Sequence, residues 1–228
     1  MVRYSRLLVD LDGCTSDTWK HTLEVFQIIE EELGMLLDLK QLKLLLGRGD
    51  SWIHCCMDLF PGHSAEEFLF MASNNAELIN SVQLTMAIPE IPEIFREFRQ
   101  KHKIQIAIVT NRQTQHGLEV ILSKSGLVIG DTIDLIVSLE EGIRPKPNPD
   151  LFYRAMQKLG VRRQSKIDRR SCLVVEDACN GLDAISSELD TCAVLWGYGT
   201  REQLQQSKPT YFAETVQGLK RIILGEVR

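Results

Sequence analysis

The segment Leu7-Leu8-Val9-Asp10-Leu11-Asp12-Gly13 decides the fold class of this chain. Its first three residues form an apolar run, and such a run predicts a buried strand when a turn signal follows it. Two carboxylates, Asp10 and Asp12, come directly after the run. Because ligands bind at the carboxyl ends of strands in open parallel sheets, the segment predicts a strand that carries two acids into a site.

Apolar runs and helical patterns alternate along the rest of the chain, which indicates an α/β fold with a Rossmann-like parallel-sheet core. The further predicted strands are Ile104–Val109, Ile133–Val137, Cys172–Val175 and Cys192–Leu195. The helical patterns are Ile91–His102, Thr114–Ser125, Pro149–Leu159 and Ala178–Glu188.

A long helical stretch separates the first two predicted strands. It runs from about Ser16 to Leu84, has the periodicity of amphipathic helices and contains no convincing strand. That length is too great for a simple crossover, so it predicts an inserted α-helical cap domain. We therefore expect a cap at residues 16–85 and an α/β core made of residues 1–15 and 86–228.

Composition limits the classes of function. The chain has 228 residues, which is enough for one large α/β domain or for a core domain with a small insert. Its hydrophobic fraction of 44% predicts a soluble globular fold. Its net charge of -5 argues against a nucleic-acid partner, which needs a concentrated basic surface. No apolar run reaches the ~18 residues of a membrane span, and the cysteines lack zinc-ligand spacing. We expect a cytoplasmic monomer or homodimer with reduced thiols and no membrane partner.

Polar residues also follow the later strands. Thr110 and Asn111 come after the second predicted strand, Lys146 lies in the loop after the third, and Glu176 and Asp177 follow the fourth. Clustered carboxylates without a His or Cys ligand pattern suit Mg²⁺. One carboxylate can attack phosphorus and a second can serve as general acid and base. A hydroxyl and an ammonium can stabilise a transferring phosphoryl group.

These clusters resemble, in order, the four motifs of the haloacid dehalogenase (HAD) superfamily. The matching runs are Asp10–Gly13, Ile108–Asn111, Arg144–Phe152 and Leu173–Ala178 with Gly181. The run Leu195–Glu202 resembles a sequence found after the last core strand of phosphoglycolate phosphatase-like members. The helical cap between the first two motifs, of the type called type 1, is shared with β-phosphoglucomutase-like members.

The resemblance implies a role for each residue of the motifs. Asp10 is then the nucleophile and Asp12 the general acid and base, while Thr110 and Lys146 bind the phosphoryl group. The implied ligands of Mg²⁺ are Asp10, the backbone carbonyl of Asp12, Asp177 and, as a ligand or supporting acid, Glu176.

Two further residues are predicted to bind substrate. Asn111 belongs to the second motif beside Thr110. Arg48 lies between two predicted cap helices and has a glycine on each side, which lets the backbone turn tightly there. If this loop faces Asp10, the guanidinium can bind an anionic leaving group through a bidentate pair.

We therefore predict an enzyme that hydrolyses a small phosphomonoester through an aspartyl-phosphate intermediate. A phosphosugar mutase of the β-phosphoglucomutase type remains an alternative, because it shares the cap and the Glu-Asp pair. A dehalogenase has no need of Asp12 or Mg²⁺. A non-enzymatic receiver domain also groups acids, a threonine and a lysine around an aspartate that accepts phosphate. Receivers, however, lack an inserted cap and an acid two residues after that aspartate.

Overall fold

A six-stranded parallel sheet forms the centre of the protein. The computed structural model describes residues 3–75, 85–113, 118–140, 142–161 and 171–226. The strands in chain order are β1 (Arg6–Val9), β2 (Ser16–Asp17), β3 (Met86–Ala87), β4 (Gln105–Gln113), β5 (Leu135–Leu139), β6 (Cys172–Glu176), β7 (Asp190–Val194) and β8 (Tyr211–Ala213). The parallel sheet has the order β5-β4-β1-β6-β7-β8, so β1 lies in its middle. Strands β2 and β3 form a separate antiparallel ribbon.

Helices lie between these strands and after the last of them. In the described ranges they are α1 (Trp19–Leu33), α2 (Leu39–Arg48), α3 (Trp52–Leu59), α4 (Ala65–Asn74), α5 (Ile91–His102), α6 (Leu118–Lys124), α7 (Asp150–Lys158), α8 (Cys179–Ile185), α9 (Arg201–Gln206) and α10 (Val216–Leu224). None of these described helices has both the length and the apolar character that crossing a membrane requires.

The central sheet is buried on both faces, which explains why its strands are almost continuously apolar. Successive side chains of a strand point to opposite faces. Leu7 and Val9 of β1 accordingly pack in one apolar layer, while Leu8 packs in the layer on the other side. The acids that follow β1 are therefore held by a strand that is anchored on both sides.

Helices α1 to α4, here called the cap, pack around an apolar cluster of their own. Its largest fully buried side chains include Phe26, Phe60 and Phe68. Asp38 caps α2 by accepting hydrogen bonds from the backbone N–H groups of Lys40 and Gln41. The chain enters the cap through β2 and leaves it through β3.

The predicted α/β class with an inserted helical cap is confirmed, and each of the five predicted strands is present. The structure adds a sixth core strand, β8, which is only three residues long at the sheet edge. It also contains the two-residue strand β2, at a position where no strand was predicted. The cap boundaries at residues 15/16 and 85/86 remain predictions, and residues 76–84 lie outside the described part of the chain.

Candidate active site

The carboxyl ends of β1, β4 and β6 bring the predicted site residues to one edge of the sheet. Asp10 follows β1, Thr110 lies near the end of β4, and Glu176 ends β6. Because β1 pairs with both β4 and β6, these residues become neighbours despite their distance in sequence. The register of β4 against β5 shifts between Val109 and Gln113, so Thr110 lies in the irregular end of its strand.

Lys146 is the cation at the centre of this edge. Its Nζ atom donates to Asp10 Oδ1 at 2.5 Å, Glu176 Oε1 at 2.6 Å and the carbonyl of Val109 at 2.7 Å. Lysine has three N–H donors, so all of them are used. Burial alone would lower the pKa of Lys146, but the charges of Asp10 and Glu176 raise it above its usual value. Lys146 is therefore held as a fixed, charged ammonium.

Asn111 holds the backbone of Lys146 in place. The N–H of Lys146 donates to Asn111 Oδ1 at 2.9 Å, and Asn111 Nδ2 donates weakly to the carbonyl of Lys146 at 3.5 Å. This contact gives Asn111 a structural task beside the ammonium, and its predicted contact with substrate stays a prediction.

Three carboxylates form a compact acidic cluster. One oxygen from each of Asp10, Glu176 and Asp177 lies within 4.8 Å of the others. Burial and then the charge of Asp10 raise the pKa of Asp177 to about 8. Burial also raises the pKa of Asp10 and of Glu176, and Lys146 offsets this only in part. Oxygen donors that carry uncompensated negative charge fit a hard divalent cation such as Mg²⁺.

The side chain of Asp177 lies against two glycines, where any larger residue would clash with it. A Cβ atom at Gly13 would lie 2.3 Å from Asp177 Oδ2, and one at Gly197 would lie 2.2 Å from the same oxygen. The N–H of Tyr198 donates to Asp177 Oδ2 at 2.8 Å. The first motif and the run that follows β7 thus fix the orientation of this carboxylate together.

The side chain of Asp12 is bound by Arg112 and is not one of the three acids of the cluster. Arg112 donates from Nε to Asp12 Oδ2 at 2.7 Å and from Nη2 to Asp12 Oδ1 at 2.9 Å. Burial alone would raise the pKa of Asp12, but the charge and hydrogen bonds of Arg112 hold it below its usual value. The side chain of Asp12 is not part of the acidic cluster, so only its backbone carbonyl is left for the predicted role as a ligand.

Thr110 and Arg48 have different settings. Thr110 is buried, and its Oγ1 atom accepts a hydrogen bond from the N–H of Arg112 at 3.1 Å. The side chain of Arg48 is 53% exposed and pairs with Asp50 at 2.6 Å and Asp58 at 3.6 Å. The structure thus brings Thr110 to the site edge and engages Arg48 with acids of the cap. The substrate-binding role of Arg48 stays a prediction.

Sequence reasoning missed Arg112. From sequence alone, an arginine after a strand-end motif is expected to be a solvated side chain. Its partner Asp12 is 100 residues away in the sequence. Its position directly after Thr110 and Asn111 was the one available signal. Gly13 and Gly197 were noted as parts of motifs, but their contact with Asp177 needed the fold.

Comparison with known proteins places this architecture in a family. The model of the haloacid dehalogenase-like hydrolase family matches residues 7–194. A protein named "Putative pyrophosphatase PpaX", from Caldanaerobacter subterraneus subsp. tengcongensis, is 25% identical over 98% of this chain and 96% of its own length. A phosphoglycolate phosphatase from Pectobacterium atrosepticum is 29% identical over 46% of this chain and 42% of its own length.

A solved structure has the same fold. β-Phosphoglucomutase from Clostridium difficile superposes with a TM-score of 0.73 at 21% identity, over 99% of this chain and 96% of its own. The fold and the family match agree with each other. This chain belongs to the haloacid dehalogenase-like hydrolase family and is an enzyme of that class.

Proposed function

We propose that this chain is a Mg²⁺-dependent phosphatase that hydrolyses a small phosphomonoester through an aspartyl-phosphate on Asp10. The observation that supports it is the setting of Asp10, which shares the buried ammonium of Lys146 with Glu176 and adjoins Asp177. A nucleophilic carboxylate beside a fixed cation and a cation-binding cluster suits attack on a charged phosphoryl group. The two relatives are named for enzymes that release phosphate.

The first half-reaction forms the covalent bond. A carboxylate oxygen of Asp10 bonds to phosphorus while the bond from phosphorus to the ester oxygen breaks. Asp12 donates a proton to that leaving oxygen. The ammonium of Lys146 and the hydroxyl of Thr110 stabilise charge on the phosphoryl oxygens.

The second half-reaction releases phosphate. Asp12 accepts a proton from a water molecule, the water oxygen bonds to phosphorus, and the bond from phosphorus to Asp10 breaks. Mg²⁺ held by Asp10, the Asp12 carbonyl and Asp177, with Glu176 beside them, would supply positive charge to the phosphoryl group. The carboxylate of Asp10 is thereby returned for another turnover.

Steady-state release of inorganic phosphate from p-nitrophenyl phosphate tests this proposal. We expect many turnovers per chain with Mg²⁺, none after chelation with EDTA, and recovery when Mg²⁺ is restored. A single phosphate incorporated per chain without turnover would instead identify a receiver. Conversion of β-glucose 1-phosphate to glucose 6-phosphate, primed by the bisphosphate and without phosphate release, would identify a mutase. Full activity after exhaustive chelation would rule out the proposed mechanism.

A further inference from the structure

Arg112 is a partly buried cation that the proposed mechanism does not use. It lies at the carboxyl end of β4, where its N–H is bound by Thr110 Oγ1. Its side chain is 24% exposed and its guanidinium is directed at Asp12, with Asp10 and Tyr198 as further charged or polar neighbours. Arg112 thus borders the region that the proposed mechanism assigns to the leaving group.

The contact of Arg112 with Asp12 occupies both oxygens of that carboxylate. Nε binds Oδ2 and Nη2 binds Oδ1 in a bidentate pair. The proposed function requires Asp12 to approach the leaving oxygen within hydrogen-bond reach, about 2.6–3.2 Å. Each oxygen of Asp12 keeps a second lone pair, but a move of Asp12 toward the leaving oxygen lengthens its pair with Arg112 and leaves room for another anion beside the guanidinium.

The chemistry of the guanidinium limits what that partner can be. A largely buried cation that loses its anion is costly unless a second anion replaces it. A carboxylate or a phosphate matches the planar fork of two N–H groups, whereas a hydroxyl offers neither the charge nor the two oxygens. The partner that arrives with each turnover is the substrate.

We infer that Arg112 determines specificity by binding an anionic group, a carboxylate or a second phosphate, on the leaving group of the substrate. This inference rests on the proposed function. The incoming anion takes the guanidinium and frees Asp12 to serve the leaving oxygen. A phosphomonoester with an uncharged leaving group leaves Asp12 bound to Arg112 and reacts less efficiently. Arg48, by contrast, is more exposed and already paired with two acids of the cap.

Three matched substrates test the inference. 2-Phosphoglycolate carries a carboxylate, ethylene glycol bisphosphate carries a second phosphate, and 2-hydroxyethyl phosphate carries a hydroxyl at the corresponding position. We expect the wild-type enzyme to prefer one or both anionic substrates in kcat/KM, and the preferred one identifies the anion. In Arg112→Gln this preference should fall by about 10- to 100-fold, the scale of charge-assisted hydrogen bonds that have been lost.

Two variants guard the interpretation. Arg112→Lys serves if Arg112→Gln does not fold, because it keeps a positive charge beside Asp12. It should also lose the preference for anionic substrates, because an ammonium does not reproduce the paired N–H groups of the guanidinium. Arg96→Gln removes an arginine that binds both oxygens of Asp131, from Nε to Oδ1 and from Nη2 to Oδ2, at a more exposed pair, and it should keep the preference. An unchanged preference in both Arg112 variants would overturn the inference. Equal losses on all three substrates would overturn it too, because Arg112 would then only position Asp12.

Binding to Asp10→Asn separates this inference from the proposed function. That variant cannot form the covalent bond, so calorimetry with Mg²⁺ reports affinity without turnover. We expect tighter binding of the preferred anionic substrate than of 2-hydroxyethyl phosphate, and loss of this difference in Asp10→Asn/Arg112→Gln. If the wild type hydrolyses none of the three while this difference remains, the proposed function fails and the inference stands. If it hydrolyses all three equally, the function stands and the inference fails.

Discussion

Glu176 occupies the space that a side chain at Gly181 would need. A Cβ atom at Gly181 would lie 2.1 Å from both Cδ and Oε1 of Glu176, a separation that real Cβ atoms do not show. Gly181 lies in α8, one turn beyond the strand that ends at Glu176. The glycine of the fourth motif therefore allows Glu176 to reach Lys146.

Gly181→Ala should destabilise the protein by about 1–3 kcal/mol, the usual cost of overpacking, although alanine favours helices by about 1 kcal/mol. Gly218→Ala is the matched control, since it is also helical and its Cβ would meet only Thr215 Oγ1 at 3.4 Å. The control should be neutral or stabilising in urea unfolding. The loss of unfolding free energy caused by Gly181→Ala should be smaller when Glu176 is also replaced by alanine. If the loss is undiminished in that double variant, the strain comes from another contact.

Asp10→Asn should abolish turnover, because an amide cannot serve as the nucleophile. Asp12→Asn should slow phosphate release by ~10²-fold or more through loss of general acid and base catalysis. Asp38→Asn is the control, because asparagine also caps helices well and Asp38 serves only the start of α2. Phosphate release with Mg²⁺ measures all three. A substantial residual rate in Asp10→Asn would show that Asp10 is not the nucleophile.

Removal of Lys146 should affect both stability and activity. Lys146→Ala leaves Asp10 and Glu176 buried without a counter-charge, so we expect a loss of about 3–5 kcal/mol in urea unfolding. Its kcat/KM should fall by roughly 10²–10³, the scale for removal of a preorganised charge-stabilising group. Lys146→Arg should not restore activity, because a planar fork does not replace a compact ammonium.

The control for Lys146 is Lys220, which pairs with Glu97 at 2.7 Å on the surface of the core. Lys220→Ala should cost at most about 1 kcal/mol and leave phosphate release intact. Lys146→Met combined with Glu176→Gln should recover part of the stability but none of the activity. Near-wild-type kinetics in Lys146→Ala would place Lys146 outside the reaction.

The stability of the metal-free protein should fall as pH rises. Burial and the charge of Asp10 raise the pKa of Asp177 to about 8 in the folded chain, whereas an unfolded aspartate has a pKa of about 3.9. The folded state therefore binds a proton that the unfolded state has lost. The resulting stability is fully present below pH ~4 and is lost as pH rises through about 8.

The proposed Mg²⁺ would bind the ionised carboxylates, so its effect on the melting temperature should be larger at about pH 8.5 than at about pH 6.5. At a concentration 100-fold above Kd, it should raise the melting temperature by about 5–10 °C. Thermal unfolding in EDTA and in Mg²⁺ measures both effects. Asp177→Asn should reduce the pH dependence, and an equal Mg²⁺ shift at the two pH values would contradict the assignment of Asp177 to the cation.

The sequence predicted the central strands because each is a continuous apolar run that needs no knowledge of its neighbours. Strand β8 was missed because Tyr211–Ala213 is short and depends on pairing with the edge of β7. The candidate site was predicted because polar residues follow several predicted strands, in the same order along the chain as the four motifs. The pair of Arg112 with Asp12 was not predictable in this way, because a bidentate contact depends on side-chain directions that only the folded sheet defines.

The ribbon of β2 and β3 suggests where the cap can be exchanged, both in engineering and in evolution. Ser16 pairs with Ala87 and Asp17 with Met86, so the two crossings into the cap lie side by side, with paired Cα atoms about 5 Å apart. Asp10, Lys146 and the Glu176-Asp177 pair lie outside that segment. A foreign helical module with equally close ends can therefore be grafted at these two points without altering the sheet register. Such chimaeras would carry a different cap while keeping Asp10, Lys146, Arg112 and the Glu176-Asp177 pair.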